Sequence, residues 1–136
     1  MLAGTVNSRH DQVKRTTLSR AACVRLLDES DLARVVISVR CLPAALPARI
    51  AIVDDDRLLL ASPEESVIAA AERAEVLSIQ IDGLEPDGAT WSVMASGIAR
   101  PAPDEAQLDQ RLRDAVERGA RVIELPLSVV VGERVG

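Results

Sequence analysis

Between Arg49 and Ser62 the chain reads RIAIVDDDRLLLAS: after the arginine an apolar run, then three adjacent aspartates, then a second mostly apolar run. Two antiparallel strands joined by a tight polar turn produce this pattern, because the buried face needs apolar side chains and the turn needs residues that bond their own backbone. The turn is expected at Asp54–Asp56, with carboxylates that are solvated or bonded to local N–H groups rather than gathered on a metal. Upstream, Leu32–Val39 (LARVVISV) is rich in β-branched residues and predicts the first strand. Leu18, Ala21, Cys23, Val24, Leu26 and Leu27 recur at helical spacing, which predicts a helix capped by Thr17 or Ser19 and ending near Asp28–Ser30. Residues 1–16 show no periodicity and are expected to form a flexible arm, with residues 17–136 as one domain. Pro43 and Pro47 lack a ladder N–H and confine LPAALP to turn or edge geometry.

Downstream of Ser62, Pro63 stops the strand, and Glu64–Ala74 reads as a short helix with acidic residues at its favourable N-terminal end. Glu75–Gly83 contains an alternating strand, Leu84–Ala89 a loop, and Thr90–Ala99 (TWSVMASGIA) the next strand, in which Gly97 marks a bulge or a close backbone approach. In DEAQLDQRLRDAVERGA (104–120), Leu108, Leu112 and Val116 recur every four residues and Gly119 supplies the stop, so a helix is expected there. Arg121–Val135 gives one or two strands interrupted near Pro126. The strands do not alternate with helices as βαβ units do, and no glycine-rich loop follows the first of them. The expected class is therefore mainly β with peripheral helices, about six antiparallel strands closing into a barrel.

Composition narrows the function. At 136 residues, 48% hydrophobic and 27% charged, the chain suits one globular core. Trp91 is the only aromatic residue, so that core is aliphatic. A net charge of −5 argues against binding duplex nucleic acid by phosphate neutralisation. No segment has the length of a spanning helix or the apolar core of a signal peptide, so a cytoplasmic location without membrane association is expected. Cys23 and Cys41 are far apart and read as small buried hydrophobes. His10, the one histidine, lies in the polar leader; no catalytic acid, base or nucleophile and no metal site is assigned. A barrel this small and aromatic-poor is expected to bury residual apolar surface against a second copy of itself, as a homodimer.

The order of CVRLL, ARVVISV, LPAALPARIAI, DDDRLLLAS, LSIQID, TWSVMASGIA and VIELPLSVVVGERV, covering Leu18 to Val135, resembles the pyridoxamine 5′-phosphate oxidase-like family of FMN-binding split barrels, in particular its short actinobacterial-type members. That resemblance implies a split β-barrel and a flavoprotein homodimer with FMN at the dimer interface, an oxidoreductase acting on a small planar substrate. It implies cofactor contacts from Ser62 and Ser66 at the phosphate and from Trp91 and Ser92 near the ring or the dimer contact. Trp91 equally reads as the largest core or interface anchor, Ser92 as a structural strand serine, and Arg121 and Arg134 as solvated or interfacial. Where short members carry the phosphate-binding arginine and lysine, this chain has Ala61 and Val67, and the glycine position is Glu65. Arg57, a basic residue of the partner, or the N–H groups opening the short helix are candidates to compensate. A second reading therefore stands beside the first: a degenerate member that retains the barrel, does not bind FMN, and takes a deazaflavin or another small ligand or acts only through protein contacts.

Overall fold

The structure is a computed structural model describing residues 13–136. Most of the arm expected at residues 1–16, His10 included, lies outside the described residues. The described chain forms strands β1 (Arg15–Thr17), β2 (Leu32–Val39), β3 (Leu42–Asp54), β4 (Arg57–Ser62), β5 (Val76–Leu84), β6 (Thr90–Ile98), β7 (Arg100–Pro101), β8 (Arg121–Pro126) and β9 (Val129–Val135). Three helices accompany them: α1 (Arg20–Glu29), α2 (Glu65–Glu72) and α3 (Gln110–Glu117). All strand pairs are antiparallel, in one sheet of order β1-β9-β6-β5-β2-β3-β4-β8-β7. The sheet thus has nine strands where about six were expected. The additions include β1 and β7, three and two residues long, and the division of Arg121–Val135 into two strands by Pro126.

The sheet curls without closing its ladder. Its two halves meet where Gly97 of β6 approaches Pro126 of β8 so closely that a Cβ on Gly97 would lie 2.0 Å from the proline carbonyl oxygen. The inner face carries the main core of Val35, Ile50, Leu58, Leu60, Ile79 and their neighbours. Helix α1 closes this face through Cys23 and Leu27, both fully buried, with its first turn held by Ser19 Oγ accepting from Ala22 N–H at 3.1 Å. On the outer face, α3 and the segment before it cover Leu59 and Ala61 with Leu112, Leu108 and Ala115. Strand β4 is consequently buried on both faces, which explains its continuous apolar run.

Pro43 and Pro47 take the edge alternative of the two expected: they lie within β3, opposite Ser38 and Arg34 of β2, on the stretch that β4 does not reach, the edge position proline tolerates. Other expectations are corrected. The reversal comes earlier, at Arg40 and Cys41, with φ of 52° and 67°. Cys41 is therefore exposed in a turn rather than buried, and both thiols are free. A two-residue turn with both central residues at positive φ normally uses Asn-Gly, and non-glycine residues there are strained by roughly 1 kcal/mol each. The pair Arg40→Asn with Cys41→Gly is expected to stabilise the protein by about 1 kcal/mol or more, read as an increase in the urea midpoint at unchanged slope. Helix α3 begins at Gln110 rather than near Asp104, because Asp109 caps it, its Oδ1 accepting from Leu112 N–H at 3.0 Å.

Three carboxyls are held below the ordinary carboxylate range. Asp54 accepts the Asp56 N–H and pairs with Arg57; Asp87 accepts the Ala89 N–H and pairs with Arg134. At Asp109, burial pushes upward but is outweighed by the Leu112 N–H and Arg111. Depressed folded values mean that the unfolded chain binds more protons, so this stabilisation is present above about pH 4 and is lost as pH falls through the folded values. Melting curves between about pH 5 and pH 2 should show a falling Tm, with a shallower slope in Asp109→Asn, which keeps an oxygen to cap Leu112 N–H but no longer titrates.

Candidate functional site

Ser62 ends β4 with its side chain on the inner face, fully buried. Its Oγ accepts the Glu64 N–H at 3.2 Å, so the hydroxyl already shapes the passage from β4 into α2. Ser66 is half-buried in the first turn of α2, and Val67 beside it is fully buried in the main core. Glu64 and Glu65 are exposed. The β4–α2 junction thus presents hydroxyls and carboxylates and no cation from positions 61 or 67.

Trp91 and Ser92 lie at the far end of β6. Alternation along the strand puts Trp91 on the inner side, against the main core, and Ser92 on the outer side. The indole covers Gly83, its β5 partner, where a Cβ would lie 2.4 Å from the ring. Both residues border a cleft of about 430 Å³ shared with Asp82, Thr90 and Glu133. Ser92 also borders a second hollow of about 610 Å³ with Gln80, Met94 and Val131. Arg134 is tied to Asp87 at 2.8 Å and Glu85 at 3.5 Å, and Arg121 is exposed.

The sheet separates these two groups. Strands β5, β2 and β3 intervene between β6 and β4, a span of about 19 Å along the sheet at the usual strand spacing. Register nevertheless places Ser92 and Ala61 on the same face. Glu133 lies opposite Ser92 and Ser92 opposite Asp82; Leu32 lies opposite Arg49 and Arg49 opposite Ala61. Continuing the β2–β5 register from Arg34 and Gln80 brings Leu32 level with Asp82, completing one outward-facing row across the sheet.

Two surroundings divide that outer face. Across β2, β5, β6 and β9 it is open, with Val36, Val76, Met94, Ile98, Val129 and Val131 all exposed. The hydroxyls of Ser78 and Ser96 in its midst bond each other at 2.7 Å. Beyond β3 the face disappears under α3. At the boundary a cleft of about 240 Å³ is lined by Leu32, Pro47, Arg49, Ala61, Pro63 and, from α3, Asp114, Ala115 and Arg118. Sequence reasoning did not single out Arg49 or Arg118, since only the strand register and the path of α3 bring them beside Ala61. Among the described residues no group of His, Cys, Asp and Glu is arranged to hold a metal ion, and no helix is long and apolar enough to cross a membrane.

The chain is similar to proteins of known structure. The FAD-binding protein of Mesorhizobium loti superposes with a TM-score of 0.72 at 19% identity, covering 91% of this chain and 98% of that one. The FAD-binding protein of Mycobacterium smegmatis gives 0.68 at 22% identity, covering 89% and 98%. At these identities the likeness shows the fold. An uncharacterized protein of Mycobacterium tuberculosis is 32% identical over 96 residues, which is 67% of this chain and 63% of that relative's length. Residues 19–127 match the pyridoxamine 5′-phosphate oxidase family, and with the split barrel observed here the chain belongs to that family.

Proposed function

We propose that the protein is a flavin-binding oxidoreductase that works as a homodimer on a small planar substrate. The observation that carries this reading is the open apolar sheet face around Met94 and Val131, which runs into the cleft beside Ala61. Such a face is ordinarily covered by a partner of like character, and a planar ring system fits between two copies of it. The named flavin proteins of the same fold support a flavin in general. Their names carry FAD where the sequence resemblance implies FMN, and the two share the isoalloxazine ring, ribityl chain and first phosphate.

The residues present fit part of that group. The phosphate contacts usual in short members are missing, since Ala61 carries no charge and Val67 points into the core. Fit at the ring is better: Met94, Val131 and Ser92 offer an apolar floor with a hydroxyl at its edge. A bound flavin would supply the hydride chemistry. The chain's own part is to exclude water by pairing two sheet faces, to orient the ring with Ser92, whose strand Trp91 anchors to the core from the inner side, and to hold the ribityl phosphate at the end of the face beside Ala61. The free thiols Cys23 and Cys41 suit a reducing, cytoplasmic setting.

The second reading, a barrel that takes a deazaflavin or another ligand, is favoured by Ala61, Val67 and the exposed Glu64–Glu65 pair. The test is the visible spectrum after incubation with excess FMN or FAD and desalting, alongside the molecular mass in solution. A retained band near about 450 nm on a dimer is expected. A dimer that retains no band from either nucleotide overturns the flavin reading and sends the search to deazaflavins.

A further inference from the structure

We infer that Arg49 and Arg118 make the cleft between β3 and α3 an anion site, which takes the phosphate of the bound nucleotide in place of the basic pair absent at positions 61 and 67. The inference deepens the flavin reading and rests on it only for the identity of the molecule that carries the phosphate.

Three observations converge. Arg49 lies directly across the ladder from Ala61, and cross-strand partners have Cβ atoms about 5 Å apart on the same face. A charge lost from β4 is thus present one strand away, pointing to the same side. Arg118, at the C-terminal end of α3, lines the same cleft of about 240 Å³, enough for a phosphate and the carbon attached to it. Finally, among the described residues neither guanidinium makes an ion pair or a side-chain hydrogen bond; Arg25, Arg34, Arg40, Arg73, Arg100 and Arg121 are equally free, and what sets Arg49 and Arg118 apart is that both line one cleft. In a chain of net charge −5, two unpaired arginines on one cleft are a local reversal of sign.

The opposing charges are few. Asp114 borders the cleft, and its Oδ1 is engaged by Gln110 Nε2 at 2.7 Å. The last carbonyls of α3 bring partial negative charge to the same side. An anion is therefore held only while both guanidiniums act on it, and losing either should weaken binding steeply. The cleft also opens beside Leu32 onto the exposed sheet face, so an anion seated there leaves the rest of its molecule directed toward the apolar surface.

The test is a set of fluorescence titrations of the full-length protein with riboflavin, FMN and FAD, and thermal melts with inorganic pyrophosphate. FMN should bind the wild type at least about tenfold more tightly than riboflavin. Arg49→Gln and Arg118→Gln should each weaken FMN by roughly 10- to 100-fold with riboflavin unchanged. Arg49→Lys should restore part of the loss, and Asp114→Asn should tighten FMN. Equal affinity of the wild type for riboflavin and FMN would overturn the anion site and leave the flavin reading standing, as would an equal loss of both ligands in Arg49→Gln. If no flavin binds, but pyrophosphate raises the wild-type Tm and not that of either glutamine variant, the anion site stands and the flavin reading fails. Pyrophosphate without effect and no flavin bound would overturn both. Arg118 is exposed, so Arg118→Gln keeps the test open should Arg49→Gln fold poorly.

Discussion

Gly97→Ala is expected to cost about 3 kcal/mol or more and to lower the Tm by about 10 °C or more. The added methyl would lie 2.0 Å from the Pro126 carbonyl oxygen, and the obstacle is backbone rather than a side chain that could rotate away. Relief requires β6 to separate from β8 where the two strands approach each other across the curled sheet. The ladder to β5 resists that movement, since Ile98, Gly97 and Ser96 are all paired with it, and Ser96 is also held by Val129 of β9. The strain therefore spreads through the inner core instead of remaining at the surface. A Gly97→Ala protein melting within about 2 °C of wild type would show that the two strands do not approach in this way.

Met94→Glu is expected to dissociate the proposed dimer while sparing the barrel. Met94 is partly exposed on the outer face, between Gln80 of β5 and Val131 of β9. A carboxylate there is hydrated in the monomer and costs the folded chain little. Brought against a second copy, it would be buried without a cation, at several kcal/mol per site. A weakening of association by at least about 100-fold follows, visible by sedimentation at micromolar concentration, with circular dichroism unchanged. Flavin retention should fall with the dimer. A monomeric wild type, or a Met94→Glu dimer as tight as wild type, would remove this face as the interface.

Long, locally determined elements were legible in the sequence, and those that exist only through pairing were not. Leu32–Val39 was read with its observed bounds because β-branched residues fill it, and the turn at Asp54–Asp56 because an aspartate there bonds its own backbone. The close backbone approach at Gly97 was also readable, though not its partner Pro126. Arg15–Thr17 carries no such signal, being strand only because β9 lies beside it. The residues before Gln110 mimic a helix by spacing, yet Ala106 and Leu108 serve to cover Leu59 and Ala61, and Asp109 claims the cap. At the candidate site the hydroxyls and the tryptophan were readable from the resemblance. Arg49 and Arg118 were not, since they are 69 positions apart in the numbering and meet only because α3 crosses the outer face.

Strand β9 also governs the order in which the fold can be completed. It is the last strand in chain order, yet it sits between β1 and β6, joining Arg15–Thr17 to a strand some forty residues before it. Until Val129–Val135 leave the ribosome, β6 has a bare edge of seven pairing positions, with the apolar residues Val93, Met94 and Ala95 within it. Such an edge is a template for other strands, and contacts this distant in sequence form slowly. The interval between synthesis of β6 and arrival of β9 is thus the period of greatest aggregation risk, and chaperone dependence during translation should be concentrated there.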